Sequence, residues 1–290
     1  MKPAPFTYHS PSSVSEAVQL LTSLENARVL AGGQSLVPML NFRLASPDHL
    51  VDLGKIADLR GIREHGEEIV FGAMTRQRDI EFSSLITAKL PLMAEAVLQL
   101  GHRQTRNRGT IGGSLCHLDP SAELPTICMA MDAQLEVISP SGSRTIAMAE
   151  FAQGMMTTAL AETEILTAIR IRPWTGRYGH AFIEFARRHG DFAIASAAIL
   201  LDVDGNGGIT RAVVALGGVG PVPLRVSAAE ACLIGAKAGP EAFAAAAAEC
   251  GKIDALEDPT YPAWYRQHLA KTLSGRALKL AHERAVAQAH

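Results

Sequence analysis

Residues 29–38, VLAGGQSLVP, begin as an apolar strand that stops at two adjacent glycines, Gly32 and Gly33. The polar pair Gln34-Ser35 follows, and the apolar pattern then resumes. Glycine has no Cβ and tolerates positive φ, so a ligand can come close to the backbone at such a turn. The break in the strand therefore raises the question of what approaches the chain there.

A second turn of the same kind lies in residues 106–125, RNRGTIGGSLCHLDPSAELP, where Thr110, Gly112, Gly113 and Ser114 precede a predicted helix. Successive backbone N–H groups in such turns can form a concavity that binds anions, and hydroxyl groups add donors. Two such turns, brought together, could hold the two phosphates of a pyrophosphate, whereas either one alone is equally consistent with a simple tight turn. The chain contains neither GxGxxG nor GxxxxGK[ST], so neither a Rossmann fingerprint nor a P-loop is indicated.

Polar residues beside this second turn allow two further interpretations. Asp119 precedes Pro120, and we expect it to cap the following helix rather than to contact a ligand. Arg103, Arg106 and Arg108 form a basic cluster in a segment that we predict to be a loop. Such a loop is more often solvated or docks a partner than binds a phosphate, and we favour the partner.

The bulk composition describes a globular protein with a substantial core. Of the 290 residues, 48% are hydrophobic and 19% are charged, and the net charge is -2. This balance gives no basic field for nucleic acid or for an anionic membrane. The N-terminus has no apolar signal core, and no apolar run approaches the roughly 18 residues of a membrane span. We expect a cytoplasmic protein without a membrane span.

Cysteine and histidine patterns argue against a metal centre on this chain. The four cysteines show no CxxC spacing, so they cannot supply the clustered thiolates of an iron–sulfur centre. The ten histidines contain no HExxH pair. We predict no metal ligand, and no Ser/His/Asp or paired-carboxylate pattern indicates a catalytic residue.

The pattern of short elements predicts an α+β fold. Ser13 and Glu16 form a capping box ahead of an amphipathic helix, and strands are predicted in ARVLA, HLVDLG and EEIVFGA. Residues 134–148 read as a hairpin that turns at Pro140–Ser143. The alanine-rich stretch from Ser227 to about His282 is predicted to be helical, with breaks near Gly239-Pro240 and Asp258-Pro259.

Several stretches together resemble one family. LAGGQSLVPMLNFRLASPDHLVDLG, residues 30–54, and the second glycine segment resemble the FAD-binding medium subunit of the molybdenum hydroxylases, the carbon monoxide dehydrogenase and xanthine dehydrogenase group. Further similar segments are GAMTR at 72–76, DAQLEV at 132–137, EILTAIRI at 164–171, RRHGDFAIAS at 187–196 and ALGGVGPVPLR at 215–225. The resemblance covers nearly the whole chain in order, and the agreement of several motifs makes it specific.

The resemblance implies a domain arrangement. A PCMH-type FAD-binding domain of two α+β subdomains would occupy residues 1–175, with the subdomains divided near 55–60. A smaller α+β domain, similar to the carbon monoxide dehydrogenase flavoprotein C-terminal domain, would occupy residues 176–290.

The resemblance also implies which residues contact FAD. One segment would run along the pyrophosphate toward the flavin ring, and a second would form the other phosphate-side loop. Glu123, one methylene longer than the aspartate common in relatives, would lie near the ribose or adenosine. Leu166 would be an apolar wall, and Phe192 would cover one face of the isoalloxazine. The two segments comprise Ala31, Gly32, Gly33, Gln34, Ser35 and Leu36, and Thr110, Ile111, Gly112, Gly113 and Ser114.

By this resemblance the chain is an electron-transfer subunit. A large molybdopterin-binding subunit would hydroxylate the substrate, and a small subunit with two [2Fe-2S] clusters would pass electrons to this FAD and on to an external acceptor. The assembly would be a dimer of heterotrimers.

Two alternatives stay open at this point. A self-sufficient FAD-dependent oxidase or reductase would turn over a substrate alone, and a non-catalytic nucleotide-binding assembly module would stay colourless after reconstitution with FAD.

Overall fold

The computed structural model describes residues 1–287, and it contains fourteen strands and twelve α-helices within that range. The strands are β1 (Thr7–His9), β2 (Ala27–Leu30), β3 (His49–Asp52), β4 (Ile62–His65), β5 (Glu68–Gly72), β6 (Gln134–Ser139), β7 (Gly142–Ala147), β8 (Ala152–Gly154), β9 (Thr157–Thr158), β10 (Ile165–Ile171), β11 (Tyr178–Ala186), β12 (Ala193–Val203), β13 (Ile209–Gly217) and β14 (Leu224–Arg225). The helices are α1 (Val14–Ser23), α2 (Leu36–Asn41), α3 (Gln77–Glu81), α4 (Ser84–Lys89), α5 (Pro91–Val97), α6 (Arg103–Arg108), α7 (Ile111–His117), α8 (Glu123–Ala130), α9 (Met148–Phe151), α10 (Ser227–Leu233), α11 (Pro240–Cys250) and α12 (Ala263–Ala287). This mixture confirms the predicted α+β class.

The chain forms two compact units, each assembled from three separate segments. The first unit comprises Met1–Phe82, His102–His117 and Ala133–Arg172. The second comprises Ser83–Gly101, Leu118–Asp132 and the chain from Pro173 onward. The expected domain ranges, 1–175 with a division near 55–60 and 176–290, stay a prediction, and residues 288–290 lie outside the described chain.

A small parallel sheet opens the first unit. Its strands run in the order β1-β3-β2, and α1 buries Ala17, Val18 and Leu21 in the same core cluster as Val51 of β3. The helix begins as predicted, because the Ser13 hydroxyl accepts a hydrogen bond from the N–H of Glu16 at 3.2 Å. The Glu16 carboxylate accepts in return from the N–H of Ser12, one residue earlier than in a standard capping box.

The second sheet of this unit is antiparallel and places β10 at its centre, in the order β4-β5-β10-β6-β7. The predicted hairpin between β6 and β7 is confirmed, but its turn is shorter than expected. Ser139 pairs with Gly142, so only Pro140 and Ser141 lie between the strands. Gly142 has a φ of 127°. Ser143 therefore belongs to a strand and not to the turn.

The basic and glycine-rich segment that carries Arg103, Arg106 and Arg108 was predicted to be a loop, and this prediction is wrong, because the structure places α6 and α7 there. The Thr110 hydroxyl accepts a hydrogen bond from the N–H of Gly113 at 3.0 Å, and the Ser114 N–H donates to the Thr110 carbonyl at 3.1 Å. These bonds satisfy the first turn of α7, so the helix forms despite two glycines. The second glycine motif is thus the beginning of a helix.

The second unit is built on an antiparallel sheet in the order β11-β12-β13-β14. One face packs its apolar residues, such as Ile199, Val214 and Leu216, against α10, α11 and α12. The other face packs against α5 and α8. The helical prediction for the alanine-rich C-terminal stretch, with its two breaks, is confirmed.

Within residues 1–287, no helix combines the length and the apolar character needed to cross a bilayer.

Candidate functional site

The two glycine turns of the first unit lie in contact. A Cβ added to Gly32 would stand 2.3 Å from the carbonyl oxygen of Arg108 and 2.9 Å from the Cα of Gly109. A Cβ added to Gly113 would stand 3.3 Å from the Cβ of Ala31. The fold thus brings together two segments that are far apart in the sequence.

Three of the glycines are required by the backbone itself. Gly32 has no room for a side chain against the second turn, and Gly33 has a φ of 73°, in the left-handed region. A Cβ on Gly112 would stand 2.6 Å from the carbonyl oxygen of Ala73, which accepts the Gly112 N–H at 2.8 Å. The glycines therefore allow close packing of the two turns, in addition to any approach by a ligand.

The first turn presents a row of backbone donors. Within the described chain, the N–H groups of residues 32–36 donate no hydrogen bond to protein, and the first bond of α2 runs from the N–H of Val37 to the carbonyl of Gly33. Gln34 is exposed, and Gly32, Gly33 and Ser35 are half-buried. The Ser35 hydroxyl makes no capping bond. Adjacent amide donors around a residue of positive φ form a concavity that suits an anion, and this donor set fits a pyrophosphate.

The second turn is less open than its sequence suggests. The N–H groups of Ile111, Gly112 and Gly113 are bonded to Thr75, Ala73 and Thr110, in that order. The Ile111 side chain is fully buried. Ser114 is half-buried. These three amides are therefore already hydrogen-bonded within the protein, so the second turn offers a ligand its shape and the Ser114 hydroxyl more than free N–H groups.

Positive charge surrounds the contact between the turns. The Arg76 guanidinium donates a hydrogen bond to the carbonyl of Arg108, the same carbonyl on which Gly32 packs. Partial burial, followed by the nearby guanidinium groups of Arg108 and Arg60, lowers the pKa of Arg76. Asp79 and Asp52 offset part of this charge. Arg76 was not predicted as a site residue, although it is the last residue of the GAMTR motif, which could have indicated it.

The expectation that Arg106 docks a partner is wrong. The residue is 8% exposed, and its guanidinium forms a two-bond ion pair with Glu81, at 2.8 and 3.3 Å. This pair joins α6 to α3 inside the first unit. Arg103 and Arg108 are exposed.

The remaining predicted contacts are distributed over both units. Leu166 lies in β10 of the first unit, beside an irregularity in the pairing with β6, and it is 3% exposed. Glu123 and Phe192 belong to the second unit. Glu123 begins α8 and is 5% exposed, whereas Phe192 precedes β12 and is 65% exposed.

Asp119 does not cap α8 as predicted. Its carboxylate accepts from the N–H of Ser121 at 2.9 Å, and Ala122 occupies the position before the helix. Asp119 instead stabilises the turn that leads into the helix.

The second unit contains a polar cluster, largely buried, that no sequence motif indicated. Glu184, Ser196 and Gly217 lie side by side on β11, β12 and β13. A Cβ on Gly217 would stand 2.6 Å from the Ser196 hydroxyl and 2.2 Å from that of Thr126 on α8. One carboxylate oxygen of Glu184 is buried without a hydrogen-bond partner within the described residues. Burial, followed by the nearby carboxylate of Glu123, raises the pKa of Glu184 to about 8.

Comparison with known proteins decides the family. Residues 4–174 match the family model described as the FAD binding domain in molybdopterin dehydrogenase. The chain belongs to the molybdenum hydroxylase FAD-binding subunits. Residues 180–281 match the CO dehydrogenase flavoprotein C-terminal domain. The resemblance stated from the sequence and the assignment of FAD to this chain are confirmed.

Three relatives of this FAD-binding subunit match it along nearly its whole length. The carbon monoxide dehydrogenase medium chain of Afipia carboxidovorans is 41% identical over 288 residues, 98% of this chain and 99% of the relative. The solved carbon monoxide dehydrogenase from Hydrogenophaga pseudoflava contains a chain with 40% identity and a TM-score of 0.95, covering 98% of this chain and 99% of that one. Quinoline 2-oxidoreductase from Pseudomonas putida 86 matches at 32% identity with a TM-score of 0.94, covering 98% and 99%. The subunit is thus the medium, FAD-carrying chain of a multi-subunit oxidoreductase.

Among the described residues, no group of three or more His, Cys, Asp or Glu side chains is arranged to hold a metal ion. Cys128 and Cys250 are buried, Cys232 is half-buried and Cys116 is exposed.

Proposed function

We propose that this FAD-binding subunit takes electrons from two [2Fe-2S] clusters on a small partner subunit and passes them to an external acceptor. A large molybdopterin-binding subunit would carry out the hydroxylation. The complete assembly would be a dimer of heterotrimers in the cytoplasm.

The observation that carries the proposal is the pair of packed glycine turns. The N–H groups of residues 32–36 make no bond to protein within the described chain, and they stand beside Arg76. A pyrophosphate placed there would accept several hydrogen bonds and meet positive charge. The match of residues 4–174 to an FAD-binding domain supports FAD as the molecule that carries this pyrophosphate.

Bound FAD would supply the redox chemistry, and the residues of this chain would bind it, orient it and cover it. Residues 31–36 and 110–114 would hold the pyrophosphate, with Leu166 as an apolar wall. Glu123 would accept a hydrogen bond from the ribose or adenosine end, and the exposed ring of Phe192 would cover the isoalloxazine. No acid or base for substrate chemistry is assigned to this chain.

The names of the relatives support a division of labour. One relative is a carbon monoxide dehydrogenase medium chain and another belongs to a quinoline 2-oxidoreductase, so similar chains serve complexes with chemically different substrates. A subunit that handles electrons and never touches the substrate would tolerate such variety. The substrate would then be bound by the large subunit.

The test is native purification of the chain with its partners, followed by absorbance spectroscopy and metal analysis. We expect FAD, molybdenum and about four iron atoms per chain, two for each cluster. Flavin on a solitary chain that turns over a substrate would instead favour the self-sufficient oxidase or reductase. A chain that stays colourless after reconstitution with FAD would favour the assembly module.

The flavin site itself is tested with Gly33→Val. The β-branched side chain would be strained at a φ of 73°, and its Cβ would stand 3.1 Å from a methyl group of Val37 and 3.3 Å from one of Leu30. We expect loss of bound FAD. Gly66→Val is the matched control, because Gly66 also has a positive φ, 61°, and a Cβ added there would meet no atom of the described chain within 4 Å beyond its own neighbours. Equal FAD content in both variants would contradict the assignment.

A further inference from the structure

Arg266, near the beginning of α12, is a buried arginine that the electron-transfer scheme leaves without a role. It is 8% exposed. Its Nη1 donates to the carbonyl of Ile194 at 2.6 Å and to the carbonyl of Gly218 at 2.5 Å, and its Nη2 donates to Asp258 at 2.6 Å. Three separate segments of the second unit therefore converge on one guanidinium.

The first of these segments leads directly to Phe192. Ile194 is two residues after Phe192, at the beginning of β12, and a β-bulge interrupts the pairing with β11 between Phe185 and Ala186. The ladder is irregular at this end of the strand, so it restrains the residues before Ala193 less tightly than a regular ladder would. The bond from Arg266 to the Ile194 carbonyl supplies a fixed point immediately after the turn.

The second segment leads to Glu123. Gly218 has a φ of 74°, and its N–H donates to the carbonyl of Pro120 at 2.7 Å. Pro120 lies in the turn that enters α8, whose first residue is Glu123. A Cβ on Gly218 would stand 3.0 Å from the carbonyls of both Ala193 and Ile194, so the two segments already touch at this point.

The third segment holds the guanidinium itself. Asp258 accepts from the N–H groups of Thr260 and Tyr261, and these backbone bonds, together with Arg266, keep the pKa of its carboxyl lowered. The Tyr261 ring lies 5.6 Å from the Arg266 guanidinium carbon. A lysine at position 266 has a single ammonium group and cannot reproduce this planar set of bonds.

We propose that Arg266 is a positioning residue for the flavin contacts of the second unit, acting through Ile194 on Phe192 and through Gly218 on Glu123. It touches neither contact residue. The inference rests on the proposed function, because it takes Phe192 and Glu123 to face the FAD.

The experiment compares Arg266→Lys with Arg284→Lys in the purified native complex. Arg284 is a matched control on the same helix, since it also joins the helix to a carboxylate, Glu95, and to a strand carbonyl, that of His180. His180 pairs with Leu200, toward the far end of β12 from Ile194. Both variants are expected to lower the melting temperature. Only Arg266→Lys is expected to change the visible circular dichroism of the flavin and to raise the dissociation constant of FAD roughly tenfold, the equivalent of about one lost hydrogen bond.

A double-mutant cycle with Phe192→Ala separates positioning from general damage to the fold. We expect the change in the flavin spectrum caused by Arg266→Lys to disappear in the Phe192→Ala background. The proposal is overturned if Arg266→Lys keeps the wild-type spectrum and FAD affinity, if Arg284→Lys alters them equally, or if the spectral change persists without Phe192. Asp258→Asn, which leaves both carbonyl bonds of Arg266 in place, provides a milder variant with the same expected direction should Arg266→Lys fail to fold. A wild-type complex without flavin would refute the proposed function and is distinct from all of these outcomes.

Discussion

Glu184 should make the second unit less stable as the pH rises, and Glu184→Gln should remove that dependence. Burial and the carboxylate of Glu123 raise the pKa of Glu184 from its ordinary value of 4.5 to about 8 in the folded protein. The folded protein therefore keeps a proton that the unfolded chain releases above about pH 4.5. The resulting stabilisation is fully present below pH 4.5 and is lost as the pH rises to about 8. Glutamine imitates the protonated acid and does not titrate.

The size of the effect follows from proton linkage. While only the folded state holds the proton, stability falls by at most about 1.4 kcal/mol for each pH unit. Between pH 5.5 and 7.5 this limit is about 2.7 kcal/mol. Glu184 is only partly buried, so solvent screening reduces the effect, and we expect about half of the limit. Glu184→Gln should therefore gain about 1–1.5 kcal/mol on the wild type across this interval, or roughly 3–5 °C in melting temperature.

The assay can follow the second unit alone, because both tryptophans, Trp174 and Trp264, belong to it. Thermal unfolding would be monitored by tryptophan fluorescence at pH 5.5, 6.5 and 7.5 for the wild type, Glu184→Gln and Glu257→Gln. Glu257 is exposed in the same unit and provides the control for a change of charge alone. Parallel pH profiles of the wild type and Glu184→Gln would refute the reasoning.

Two further substitutions test the packing described above. Glu81→Gln should cost about 3 kcal/mol, because it removes the carboxylate from a pair with Arg106 in which both side chains are at most 10% exposed, whereas Glu67→Gln in an exposed pair should cost less than about 1 kcal/mol. Equal melting temperatures of these two variants would contradict the buried pairing. Gly217→Ala should cost about 1–3 kcal/mol because its Cβ would stand 2.2 Å from the Thr126 hydroxyl. Denaturant titration should show that adding Thr126→Ala restores part of the lost free energy of unfolding. If it restores none, the clash with Thr126 is not the cause of the loss.

Elements whose signals are local could be predicted from the sequence. The capping interaction of Ser13 with Glu16 lies within one helical turn, and the structure contains it with one shifted acceptor bond. The strands β2, β3 and β5 could be predicted for the same reason, because each is a short apolar run. Proline at the first position of α11, Pro240, also acts locally through its fixed φ.

Helix α7 could not be predicted, because the bonds that stabilise its beginning come from a distant segment. Two glycines in succession favour a turn. In the structure the N–H groups of Ile111 and Gly112 bond to the carbonyls of Thr75 and Ala73, which a local pattern does not contain. Tertiary partners thus decided the conformation of this stretch.

The contacts within the candidate site likewise could not be predicted from local sequence patterns. The glycine turns were visible in the sequence, but the packing of Gly32 on the carbonyl of Arg108 depends on residues far apart in the chain. The partner of Arg106 and the burial of Glu184 likewise depend on the fold. The sequence could therefore indicate which residues belong to the site, but not which residues they contact in the folded protein.

The central position of β10 has a consequence for how the protein is made on the ribosome. The strands that flank it, β5 and β6, leave the ribosome first, and β10 follows about 90 residues after β5. At typical elongation rates β5 waits on the order of 5 to 20 s, and β6 about 1 to 5 s, with an edge that only β10 will cover. The nascent chain is therefore most prone to aggregate before residue 171 emerges, and a ribosome stall in that interval would prolong the time for which the sheet of the first unit is incomplete.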